Sequence, residues 1–89
     1  MAEITLTVKH EVGLHARPAS LFVQKAKQYK ADIRVKFGDT VGNAKSIMSM
    51  LTLGVNQGAM ITIYAQGEDE DQAIEGLSEL VENNFGEAA

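Results

Sequence analysis

Apolar and polar residues alternate at the start of the chain. Ile4, Leu6 and Val8 are interleaved with Thr5, Thr7 and Lys9, the two-residue period of a strand with one buried face. After Gly13 the period changes. Ala19, Phe22, Val23 and Ala26 recur at helical spacing while Ser20, Gln24 and Lys27 fall on the other side, which predicts a helix from about Ala16 to about Gln28 with one stripe on the core. Alternation returns with Ile33, Val35 and Phe37 against Asp32, Arg34 and Lys36, a second strand. Gly38-Asp39 punctuates it, and Thr40 to Asn43 comes back as a short third strand to make a hairpin.

Ser46 suits an N-cap, since its hydroxyl can accept a bond from the N–H of Met48 or Ser49. A short helix from Ile47 to Leu53 then stops at Gly54, which tolerates the left-handed conformation past a helix end. Ile61 and Ile63 mark a fourth strand reaching about Gln66 and closed by Gly67. The last helix carries the fullest set of signals. Asp69 is its expected cap, Glu70 and Asp71 sit at the positive end of the dipole, and Gln72 lies three residues after the cap. Ala73, Ile74, Leu77, Leu80 and Val81 make its buried stripe, and Gly86 ends it. Gly76 within this helix costs up to about 1 kcal/mol relative to alanine, which predicts a close neighbour.

The order βαββαβα implies an α+β domain in which a four-stranded antiparallel sheet has three helices on one face. It leaves strand pairing open, because a ferredoxin-like domain with an extra helix reads almost identically. At 89 residues with 45% apolar content, a single domain spanning 1–89 with one modest core is expected, not a disordered chain. The absence of cysteine excludes a disulfide scaffold. With His10 and His15 the only imidazoles and no carboxylate at a ligand spacing, neither a metal site nor a cofactor is expected. No apolar run is long enough to span a bilayer, and Met1-Ala2-Glu3 lacks a basic region leading into an apolar one, so a cytoplasmic location without membrane insertion is expected.

The formal charge of −4 disfavours general nucleic-acid binding. The signs are segregated, however. All eight Lys and Arg residues precede residue 46, whereas Glu68 to Asp71, Glu75, Glu79, Glu82 and Glu87 follow it. A basic face is thereby available to an acidic partner.

The candidate chemistry lies in Gly13-Leu14-His15-Ala16-Arg17-Pro18-Ala19. Proline lacks an N–H and has its φ preset near the helical value, so Pro18 belongs in a first helical turn. His15 then falls at or beside the N-cap, where orphan N–H groups and the positive dipole end form an anion site. Arg17 adds a charged fork matched to phosphate oxygens. An imidazole is partly neutral near pH 7 and can hold a covalent phosphoryl intermediate for a second acceptor. A lone histidine before a helix is more often a cap or a surface residue; Arg17 and Pro18 count against that here.

The run GLHARPA, followed by Asn43-Ala44-Lys45-Ser46-Ile47-Met48, resembles the HPr family, histidine-containing phosphocarriers of the bacterial phosphoenolpyruvate:sugar phosphotransferase system. The resemblance covers essentially the whole chain. It implies an open-faced β-sandwich and a phosphoryl carrier, not an enzyme. In this role Nδ1 of His15 accepts phosphate from enzyme I and passes it to IIA domains of sugar permeases, helped by Arg17 and the Ala16 N–H. It also implies regulatory phosphorylation of Ser46 by an HPr kinase/phosphorylase, with a catabolite control repressor as a further partner. Partners would dock on Gln24, Lys27, Lys45, Ile47, Met48 and Leu51, and the working form would be a monomer. Gln24 stands where many relatives have lysine, and Val12 where many have a small polar residue. Two alternatives are a regulatory paralogue that lacks the histidine and a carrier serving nitrogen regulation.

Overall fold

The computed structural model describes residues 1–9, 16–83 and 85. In chain order the elements are β1 (Ala2–Thr7), α1 (Ala16–Ala26), β2 (Asp32–Phe37), β3 (Thr40–Asn43), α2 (Ile47–Thr52), β4 (Met60–Gln66) and α3 (Glu70–Glu82). Strand pairing, which element order leaves open, is β1-β4-β2-β3 with every neighbour antiparallel. β4 lies between β1 and β2. The last strand to appear in sequence therefore joins the first to the central hairpin, and the sheet closes only when distant segments meet.

The register sorts the side chains. Ile4, Ile63, Val35 and Gly42 form one row across all four strands, and Ile33, Val35, Ile61, Ile63 and Ala65 are buried beneath the helices. On the opposite, uncovered face Thr5 and Thr62 sit across from each other and join their hydroxyls at 3.0 Å. Phe22, Ala19, Val23 and Ala26 from α1, Met50 from α2 and Ala73, Leu77 and Val81 from α3 complete the core. Ile74 and Leu80, expected in the buried stripe of α3, pack only at its margin.

Two close approaches shape the helix layer. Alanine at Gly42 would place its Cβ 3.0 Å from Met50 Cε and 3.2 Å from the Ser49 carbonyl oxygen, so the missing side chain on β3 is what lets α2 lie over the sheet. The close neighbour expected at Gly76 is Tyr29, whose hydroxyl occupies the space a β-carbon there would need.

Element ends differ from expectation in five places. β1 stops at Thr7, with Val8 and Lys9 beyond it. α1 stops at Ala26 and not near Gln28, because Gln28 and Tyr29 donate to the Lys25 and Ala26 carbonyls in a tightened final turn. α2 ends at Thr52, with Leu53 as its C-cap and Gly54 at φ +71° in the left-handed region. Asp69 flanks α3 in the N-cap position, yet its side chain makes no cap bond. Its carboxylate is spent on the α1–β2 connection, where Oδ2 accepts from Lys30 N–H and Oδ1 from Ala31 N–H, both at 2.8 Å. The helix start is satisfied otherwise: Glu70 Oε1 accepts from Gly67 N–H at 3.1 Å, while Glu70 N–H donates to the Gly67 carbonyl. α3 ends at Glu82 with Asn83 as its C-cap, short of the expected end at Gly86, which itself lies outside the described residues.

Gly67 has φ +150°, and a β-carbon on it would sit 2.8 Å from the Ala31 Cα. Backbone cannot swing aside as the tip of a tyrosine can. Gly67→Ala is therefore expected to lose about 1–3 kcal/mol in urea unfolding, whereas Gly76→Ala, which regains helix propensity of up to about 1 kcal/mol, changes stability far less. Equal effects would contradict the contact between Gly67 and Ala31.

Candidate functional site

The helix that the first motif predicts opens at Ala16, with Pro18 buried in its first turn. Ala16 and Arg17 are exposed. No acidic residue lies in that turn, so its own side chains bring no negative charge to the partial positive charge of its amides. His15, together with Gly13 and Val12, lies outside the described residues. Arg17, Gln24 and Lys27 are spaced by seven and three residues and are all exposed, placing them along one side of α1 and the turn after it. Gln24 Nε2 donates to Ser20 Oγ at 3.2 Å, within the same strip.

α2 lies against α1 and over β3. Its inner anchor is Met50, fully buried, while Ile47 (37%), Met48 (66%) and Leu51 (38%) are exposed. These apolar side chains are thus not core, the usual fate of such residues. A helix of six residues presenting three of them to solvent offers a contact surface.

Ser46 caps α2 as its position suggests. It is extended (φ −122°, ψ 117°), and its Oγ accepts from Ser49 N–H at 3.3 Å. The turn before it is held by Asn43, whose Oδ1 accepts from Lys45 N–H at 2.9 Å. Lys45 does not simply extend into water: its Nζ donates to the Tyr29 carbonyl oxygen at 2.7 Å, just past the end of α1. A cation suits the negative end of a helix. Sequence reasoning missed this contact and the role of Asp69, both of which join segments far apart in the chain.

Asp69 is held below the usual carboxylate range, chiefly by the Lys30 N–H, with help from the Ala31 N–H and the positive charge of Lys45; partial desolvation opposes them. Glu70 is lowered too, first by the Gly67 N–H. Among the described residues no group of three or more His, Asp or Glu side chains could hold a metal, and no helix is long and apolar enough to cross a membrane. A shallow groove between α1 and α3, lined by Lys25, Gly76, Glu79, Leu80 and Asn83, lies roughly 14 Å along α1 from its first turn and is separate from this site.

The family model described as PTS HPr component phosphorylation site matches residues 2–83. HPr-C-His from Thermoanaerobacter tengcongensis is 46% identical over the whole of both chains and superposes with a TM-score of 0.96. The phosphocarrier protein HPr of Bacillus anthracis str. Ames is 41% identical over 90% of this chain and 95% of its own, with a TM-score of 0.87. Crh, the Bacillus subtilis catabolite repression protein crystallised as a swapped-domain dimer, is 40% identical over 94% and 97% of the two chains, with a TM-score of 0.76.

A carboxylate lowered in the folded state stabilises the fold above its unfolded value, near pH 3.8 for Asp69, and that contribution disappears as pH falls through the lower folded value. Asp69→Asn is accordingly expected to lower the urea midpoint at pH 7 and to flatten its decline between pH 4 and pH 2. A variant whose acid limb is as steep as the wild type's would show that Asp69 is not the group responsible.

Proposed function

The chain belongs to the HPr family, and from that premise we propose that it carries a phosphoryl group on Nδ1 of His15 from enzyme I to the IIA domains of sugar permeases. The observation that carries this reading is the opening of α1 at Ala16, directly after His15, with an exposed Arg17 and no acidic side chain in the first turn. In the transfer, the lone pair of Nδ1 forms the new N–P bond as the bond to the donor breaks, and the same exchange repeats in reverse order with the next acceptor. The phosphoryl oxygens keep their charge throughout. The carrier's task is to position them, with the Ala16 N–H and the Arg17 guanidinium as donors.

Docking uses the exposed Ile47, Met48 and Leu51, bordered by Gln24, Lys27 and Lys45. A flexible thioether such as Met48 packs against several partner shapes. Lys45 contributes charge to this rim at reduced reach, its ammonium being engaged with Tyr29. Ser46 is the regulatory position, phosphorylated by an HPr kinase and then read by a catabolite control repressor. Crh is a relative named for catabolite repression, which supports that context. A purely regulatory paralogue is the second reading, and His15 in this chain argues against it. A monomer is the proposed working form, set against the dimers of both Thermoanaerobacter tengcongensis HPr and Crh.

Incubation with enzyme I and phosphoenolpyruvate is expected to add one acid-labile, base-stable phosphate, absent in His15→Ala. Arg17→Ala should slow transfer by about 10²-fold, and Met48→Asp should raise the KM for enzyme I more than it lowers kcat. Wild-type protein left unmodified by a cognate enzyme I overturns the carrier reading. Mass spectrometry after treatment with ATP and HPr kinase, compared with Ser46→Ala, decides the regulatory one.

A further inference from the structure

One peptide group, Tyr29–Lys30, is held from both sides by opposite charges. Its carbonyl oxygen accepts from Lys45 Nζ at 2.7 Å, and its N–H donates to Asp69 Oδ2 at 2.8 Å. The two ends of a peptide are conjugated. A cation on the oxygen makes the N–H a stronger donor, and a carboxylate on the N–H makes the oxygen a stronger acceptor, so each contact strengthens the other. Asp69 Oδ1 extends the arrangement to the Ala31 N–H. The three partners belong to three different connections: Lys45 between β3 and α2, Tyr29–Lys30 between α1 and β2, and Asp69 between β4 and α3.

Lys45 also immediately precedes Ser46, with Cα atoms about 3.8 Å apart. Among the described residues it has no carboxylate in ion-pair contact: Asp69 feels its charge from a distance, and the ammonium is held by a neutral carbonyl. A group with up to two negative charges and three acceptor oxygens, placed on the next residue, is a far stronger partner for it.

We propose that Lys45 is a switch residue: a phosphate on Ser46 draws its ammonium off the Tyr29 carbonyl and thereby loosens the Lys30 and Ala31 amides from Asp69. Phosphorylation at the start of α2 is then felt at the end of α1 and the start of α3, beyond the modified surface. This rests on the reading of Ser46 as a phosphorylation site and adds the route by which the rest of the molecule responds.

The test installs phosphoserine at position 46 during synthesis, so that it does not depend on any kinase; absence of a kinase would weaken the regulatory reading and leave this result standing. Amide exchange and the Lys30 amide proton shift are followed by NMR. In the phosphoserine protein, exchange at Lys30 and Ala31 is expected to rise about tenfold, and the Lys30 proton to move upfield. Lys45→Met should show the same acceleration without phosphate and no further change with it. Unaltered Lys30 and Ala31 exchange in the phosphoserine protein, or an equal response to phosphate in Lys45→Met, overturns the switch. If Lys45→Met does not fold, the comparison of serine and phosphoserine wild-type proteins still decides, because retention of the Lys30 shift is incompatible with release.

Discussion

The carboxylate of Asp69 sits where the chain's connections converge. It takes the amides of Lys30 and Ala31, and so ties the connection between α1 and β2 to the start of α3. Gly67 fits against Ala31 so closely that any β-carbon would force the backbone to shift, and Tyr29 lies against Gly76 one element further on. These contacts fasten the helix layer at one end by hydrogen bonds to charged groups and close backbone packing, not by apolar area alone. Backbone donors that leave a helix need new partners; here, a side chain from the other half of the sequence supplies them, at an exposed amide for Lys30 and a part-buried one for Ala31.

That fastening has consequences for α2. A helix of six residues is too short to hold itself together in water, so it depends on what lies around it. Met50 beneath it over Gly42, Ser46 capping it, and Lys45 tying its entry to Tyr29 provide the support. With its inner side so held, the outer side is left to Ile47, Met48 and Leu51. Their exposure forgoes part of the roughly 1.5–3 kcal/mol per side chain that full burial would contribute, most of it at Met48, which is 66% exposed. An apolar surface kept at that cost makes sense on a protein that must meet partners repeatedly and leave them.

Much of this could be read in the sequence, and the parts that could not have a common cause. Period-two alternation over Ile4 to Thr7 and over Asp32 to Phe37, the Ser46 cap and the Pro18 helix start are local patterns, and each reappears at its place in the structure. Strand order was silent because pairing β1 with β4 joins residues some 60 positions apart, as with Ala2 and Ala65. Asp69 had every local mark of a cap, but two amides near residue 30 offered its oxygens better use, and Glu70 bonded Gly67 in its stead. Lys45 looked like one more surface cation until the carbonyl of Tyr29 claimed it. The residues missed are those whose partner lies across the fold.

On the proposed reading, the same reasoning explains why the phosphoryl site lies at a helix start on the surface and not in a pocket. A carrier must hold its group strongly enough to keep it from water for a while, yet weakly enough that the next acceptor can take it. An exposed helix N-terminus contributes only about 0.3–1 kcal/mol toward an anion, and salt screens it. Ala16 and Arg17 are both exposed, so on this reading they lie within reach of a partner's own groups. Stabilisation then becomes decisive only in the complex, where docking on α2 excludes water and strengthens every charge in the interface. The apolar surface of α2 and the amides of α1 are thus two halves of one requirement, and the packing of those helices against each other is what keeps the halves together.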